Sequence, residues 1–244
     1  MKKAVMLKKL KLTDESLTRI REAVMKAESR TTGEIALAVT AESAAYSFRE
    51  LLAALTAGVF IFALLLPFAH VIAELFENMM WHMPLWYLPA FYGITCFGLV
   101  ALLFRIANVP AVDRLIVPRA VRSRAVYNRA VRYFAESGVY ATKDHSGILI
   151  FVSYMEREVR IIADTGITAK ISPGLWNLIA ADLAEGLGTA DAAGTFIRAV
   201  ERCGELLEEY FPAVAGSGAE PNGTAENPDE LANGLVVLEE EDAY

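Results

Sequence analysis

Two stretches of the chain carry no alternation of apolar and polar positions at all. Residues 51–73 read LLAALTAGVFIFALLLPFAHVIA and residues 85–104 read LWYLPAFYGITCFGLVALLF, with no Asp, Glu, Lys or Arg in either. A helix needs about 20 apolar residues to cross a hydrocarbon core of about 30 Å. The core helix of a soluble domain keeps a polar stripe, which both runs lack. Pro67 and Pro89 are tolerated in membrane helices and can kink them. The connection Glu74–Pro84 is short, so the pattern predicts a transmembrane hairpin over 51–105. A signal peptide is not predicted, because the first run starts at residue 51 and Met1–Leu12 has no apolar core.

Outside the hairpin the periodicities are those of a soluble α/β domain. Thr13 can cap a helix, with Asp14 and Glu15 favourable in its first turn. Leu17, Ile20, Val24 and Ala27 then share one helical face. Glu34–Thr40 reads as a buried strand. After the hairpin a helix is expected from Pro118 or Arg119 to Ser137, with Tyr127, Val131 and Phe134 as its apolar face and Gly138 as its stop. Gly147–Ser153 and Val159–Ala163 are two apolar strands, and the four residues between them allow only an antiparallel pair. Ser172-Pro173 opens a third helix with Trp176, Ile179, Leu183 and Leu187 inward. Thr189 opens a fourth, with Ala193, Phe196, Ile197, Val200, Leu207 and Tyr210 inward and Pro212 as its end.

These elements predict a small α/β/α sandwich, ordered α-β-α-β-β-α-α, with the membrane hairpin inserted between its first strand and second helix. The expected organisation is a flexible basic arm over 1–12, a discontinuous cytosolic domain over 13–50 and 106–212, the hairpin over 51–105, and an acidic, flexible tail over 213–244 with a candidate edge strand at 234–238.

Charge adds orientation and excludes some chemistry. No Lys or Arg lies between Arg49 and Arg105, whereas Arg105, Arg114, Arg119, Arg122 and Arg124 follow the hairpin. The positive-inside rule then puts both termini in the cytoplasm, with Trp81, Trp86 and Tyr87 at the outer boundary. The net charge of −7 gives no general attraction to nucleic acid. Two cysteines, Cys96 and Cys203, make no disulfide framework. Neither a Walker A loop, nor a GxSxG, HExxH or EF-hand pattern is present. Three histidines, two of them in or beside the hairpin, make no zinc centre.

The segments after the hairpin carry a combined pattern. Phe134-Ala135-Glu136-x-Gly138-Val139 leads to Thr142 and Gly147-Ile148-Leu149-Ile150. Glu156-Arg157-x-Val159-x-Ile161 and Ala163-Asp164-x-Gly166-Ile167 follow, then Trp176, Gly194, Phe211-Pro212 and Asn227-Pro228-Asp229-Glu230-Leu231. With Gly33-Glu34-Ile35 immediately upstream of a hairpin, the chain resembles the TPM domain family over residues 13–238, in particular bacterial membrane-anchored members with a two-helix transmembrane insertion. Those members show a compact Asn-Glu-Leu where this chain reads Asn227-Pro228-Asp229-Glu230-Leu231, so a role carried by that motif does not transfer. The resemblance implies an α/β/α sandwich. It associates the chain with calcium binding, acid phosphatase activity and maintenance of membrane complexes, with no single activity common to all.

Topology nominates a site. A crossover makes the first two strands parallel, and the third is antiparallel to the second. The start of strand two and the end of strand three therefore meet at one edge, with Asp144, His145 and Asp164, and the start of strand one adds Glu34. Asp144, Asp164 and Glu34 are thus candidate oxygen ligands for Ca²⁺ or Mg²⁺. The alternative is that Asp144 is a turn residue and Asp164 an Asx-type cap. A second feature is basic: Arg105 to Arg132 holds seven Arg and one acid, Asp113, with Arg119, Arg122, Arg129 and Arg132 expected on the outer side of helix two. Topogenic charge, anionic lipid headgroups or the acidic end Glu239–Asp242 each account for it. The functional expectation is a membrane-anchored cytosolic binding or assembly module with a lipid bilayer and an unknown membrane protein complex as partners. A metal-dependent phosphatase is the alternative.

Overall fold

The computed structural model describes residues 3–79, 84–107, 110–142, 145–189, 191–213 and 234–238. The chain divides into two compact units, residues 1–44 with 122–244, and residues 45–121.

The first unit is built on a four-stranded mixed sheet. Its strands are β1 (Glu34–Thr40), β2 (Gly147–Ser153), β3 (Glu158–Ala163) and β4 (Leu235–Leu238), in the spatial order β3-β2-β1-β4. β1 runs parallel to β2 and to β4, and β2 and β3 are antiparallel. β1 and β2 are buried along their whole length, which is why both read as continuous apolar runs rather than alternating ones. The candidate edge strand near the C-terminus is present as β4.

Helices cover both faces of the sheet. One face presents Ile35, Leu37, Val39, Ile148, Ile150 and Val152. Packed on it are α1 (Lys3–Lys9), α2 (Asp14–Glu28), α9 (Pro173–Gly186) and α10 (Ala192–Tyr210). The caps agree with the sequence signals: Thr13 Oγ1 accepts from the Ser16 amide, and Ser172 precedes Pro173 at the first position of α9. α10 begins at Ala192 with Asp191 as its cap, not at Thr189. The chain before Thr13 was expected as a flexible arm. It forms α1 instead, because Met6, Leu10 and Leu12 are apolar at a spacing that seats them in the core.

The opposite face presents Ala36, Ala38, Leu149 and Phe151, covered by α7 (Arg119–Glu136). Here the observed helix face departs from expectation. Val126, Arg129 and Ala130 are buried, while Tyr127 and Val131 are 51% and 39% exposed. Val126 and Ala130 join Leu149 and Phe151 in the core under this helix, so the rotation of α7 on the sheet, not side-chain size, sets its inward face. Gly138, at φ +80°, stops α7 and turns the chain into a short 3₁₀ turn, Val139–Ala141.

The second unit contains α3 (Ser47–Leu65), a 3₁₀ turn at Leu66–Phe68, α4 (Ala69–Met79), α5 (Tyr87–Ala107) and α6 (Pro110–Ile116). Pro67 sits in the 3₁₀ turn. α3 and α5 pack together; a Cβ on Gly58 would overlap Val100, so glycine permits the close approach. The Tyr92 hydroxyl donates to the Leu65 carbonyl at 2.8 Å and the Tyr92 ring meets Phe62 edge-on. Two helical stretches, Ser47–Met79 and Tyr87–Ile106, are long and apolar enough to cross a membrane. Their large apolar side chains point outward, with Phe60 72%, Ile94 75% and Phe97 79% exposed. Trp81 and His82 lie outside the described residues.

Candidate functional site

The edge where β2 starts and β3 ends is assembled by backbone bonds. The Asp164 amide donates to the Gly147 carbonyl at 3.0 Å, and the Glu34 amide donates to the Ser146 carbonyl at 3.2 Å. Three segments distant in sequence are thereby brought together. The Ser146 hydroxyl donates to the Thr32 carbonyl, and the Ser146 amide to Thr142 Oγ1. Close packing adds to this. A Cβ on Gly33 would come within 3.1 Å of the Ser146 carbonyl, and one on Gly147 would overlap the Val139 carbonyl.

Asp164 is buried at this edge and already has partners. Its Oδ1 accepts from the Thr165 amide at 2.6 Å and from the Thr165 hydroxyl at 3.1 Å, which caps the short helix α8 (Thr165–Thr168). Its Oδ2 lies 3.2 Å from His145 Nδ1. His145 adopts φ +50°, a left-handed conformation uncommon outside glycine, asparagine, aspartate and histidine, and its imidazole is 64% exposed. Asp164 thus acts as a helix cap with a histidine at its side, and α8 is an element the sequence pattern did not announce. Glu34 is buried at the start of β1. Asp144 lies outside the described residues. Among the described residues, no group of three or more His, Cys, Asp or Glu stands close enough to hold an ion. The residues in view therefore do not by themselves compose a ligand set for Ca²⁺ or Mg²⁺.

Residues 112–206 match the TPM domain family, and the TPM likeness in sequence rests on them. The match spans α7, β2, β3, α9 and most of α10 and begins after the hairpin, so α2 and β1 complete its sheet domain from the other side of the insertion. Among solved structures, the NMR structure of BA42 protein from the psychrophilic bacterium Bizionia argentinensis is similar at TM-score 0.50 and 17% identity, over 93% of this chain and 94% of that one. At that identity the likeness concerns the fold. No curated protein matches the chain in sequence.

Three features of the sheet-bearing unit escaped the sequence pattern. The first is the buried Arg129, hidden because the helix face was judged by its largest apolar residues. The second is a polar cluster where β1 ends. Glu156 accepts from the Ser43 amide at 2.9 Å and from the Ser153 hydroxyl at 2.5 Å, and the hydroxyls of Ser43 and Ser153 are 2.7 Å apart. Nothing in a linear sequence pairs positions 110 residues apart. The third is Cys203. Burial pushes its thiol up to about 12, against the lowering influence of the Arg202 charge, so it is a packed apolar group and not a nucleophile. The motif Asn227-Pro228-Asp229-Glu230-Leu231 and the acidic end Glu239–Asp242 lie outside the described residues.

Proposed function

We propose that the chain is a membrane-anchored TPM-type domain that works as a binding or assembly module on the cytoplasmic side of a bacterial inner membrane, with an unknown membrane protein complex and anionic lipid headgroups as partners. The observation that carries this reading is the second unit. A helical pair that carries no charge over residues 51–73 and 85–104 exposes Phe60, Ile94 and Phe97, side chains that lipid accommodates and water does not. The Lys/Arg asymmetry around the pair supports the orientation. The test is alkaline carbonate extraction of membranes. The full chain stays in the pellet, and a chain whose residues 50–105 are replaced by a short Gly/Ser linker moves to the supernatant. Release of the full chain by carbonate overturns the reading.

A second reading, divalent-cation binding with phosphatase chemistry depending on it, is favoured by one observation. The Asp164–Gly147 backbone bond sets a buried carboxylate beside the segment that carries Asp144, with Glu34 close in register. Ca²⁺ or Mg²⁺ would offset the repulsion of these acids. Thermal unfolding of the full chain in neutral detergent with millimolar Ca²⁺ or Mg²⁺ tests it. A metal-dependent rise abolished by Asp144→Asn and by Asp164→Asn supports the site, and no rise with either ion removes it.

A further inference from the structure

The arginines of α7 do not all lie on its outer side. Arg122, Val126 and Arg129 follow one another at helical spacing along a single stripe, and Arg129 is only 4% exposed. Its Nε and Nη1 are shielded from water and have no hydrogen-bond partner, and Nε of the half-buried Arg122 is in the same state. Arg160, on the β3 strand of the same sheet face, also has a buried Nε without a partner, but its Nη2 is 2.6 Å from both Glu158 Oε1 and Ser123 Oγ. Among the described residues Arg129 has no such carboxylate. The β1 side chains that meet α7 are the methyls of Ala36 and Ala38, so β1 offers the guanidinium no acceptor there. Glu34, farther along that face, makes a contact of its own.

A guanidinium out of water without an anion is strongly disfavoured, and proteins almost always pair it. From these observations we infer that Arg129, with Arg122, forms an anion site for a phosphate group. One carboxylate would satisfy one guanidinium fork. Two arginines two turns apart on one stripe suit a tetrahedral dianion whose oxygens each fork can take in part. α7 as a whole carries five Arg and one Glu, a local field that draws anions. The site binds and catalyses nothing; it needs only α7 and the sheet, so it can fail while membrane anchoring stands, and its headgroup arm deepens the lipid contact proposed above. The phosphate can belong to a lipid headgroup or come from solution.

The experiment is thermal unfolding of the full chain in a maltoside detergent, with inorganic phosphate against chloride at equal ionic strength. Saturating phosphate raises the midpoint by roughly 5 °C. Arg129→Met, which keeps the buried stem and removes the charge, loses that rise and is at least as stable as the native chain without phosphate. Should Arg129→Met fail to fold, Arg122→Met reports instead, with the phosphate response cut at least several-fold. A native chain that does not respond to phosphate, or variants that respond in full, overturn the site. Nanodiscs of phosphatidylcholine with and without phosphatidylglycerol then assign the source. If the anionic lipid itself supplies the rise and added phosphate adds nothing, the ligand is a headgroup. A phosphate response unchanged by the lipid assigns it to solution.

Discussion

Glu156 holds the point where β1 ends and the chain departs toward the hairpin. It lies in the turn between β2 and β3, is 6% exposed, and accepts from the Ser43 amide and the Ser153 hydroxyl. The same turn donates from Tyr154 and Met155 to the carbonyls of Thr40 and Ala41. Removing the carboxylate strands two buried donors, and a buried donor without an acceptor is far costlier than a bond never made. Glu156→Ala is expected to destabilise the full chain by about 2–4 kcal/mol, read as a lowered unfolding midpoint. Glu156→Gln, which keeps one acceptor oxygen, loses less than half as much. Equal losses in the two variants would show that side-chain volume, not hydrogen bonding, matters there. At this scale little was legible beforehand. Asp164 as an Asx-type cap could be foreseen, because a cap is a local contact between neighbours in sequence. The Ser43–Ser153–Glu156 cluster and the buried Arg129 depend on which segments meet.

Helices and strands followed their sequence signals closely where those signals were periodic. β1 and β2 have the expected bounds, and α2 and α9 start at the expected caps. The failures have one cause. Where hydrophobic positions are few, the partner decides which face turns inward. α1 has too few apolar residues to announce itself among five lysines in residues 1–12, yet Met6 and Leu10 reach the core because the sheet face beside α2 is open to them. The difference between an arm and a docked helix is measurable. Met6→Ala is expected to cost about 2–4 kcal/mol in thermal unfolding, while Val5→Ala, at a side chain 46% exposed, stays within about 0.5 kcal/mol of the native chain. A null effect at Met6 would return the segment to a mobile arm. α7 errs the other way: Val126 is buried and Val131 is 39% exposed, so two identical side chains differ only by which side of the helix meets Phe151 and Leu149.

On the scale of the whole molecule, the insertion divides the sheet-bearing unit in sequence but not in space. β1, encoded before the insertion, lies between β2 and β4, encoded after it. A strand whose two neighbours both follow the insertion in sequence cannot be stable alone, so the sheet forms only when the segments before and after the insertion meet. The sequence by itself determined the two apolar spans, the order of helices and strands, and the TPM pattern, because each is written in local periodicity, length or contiguous motifs. Only the tertiary structure decided that Asp164 spends its oxygens on Thr165 and His145, that Lys3, Lys8 and Lys9 ride on a docked helix, and that one arginine of α7 faces inward. Those outcomes turn on burial and on contacts between residues far apart in the chain. Burial is a property of the assembled sheet and helices, and no single segment carries it.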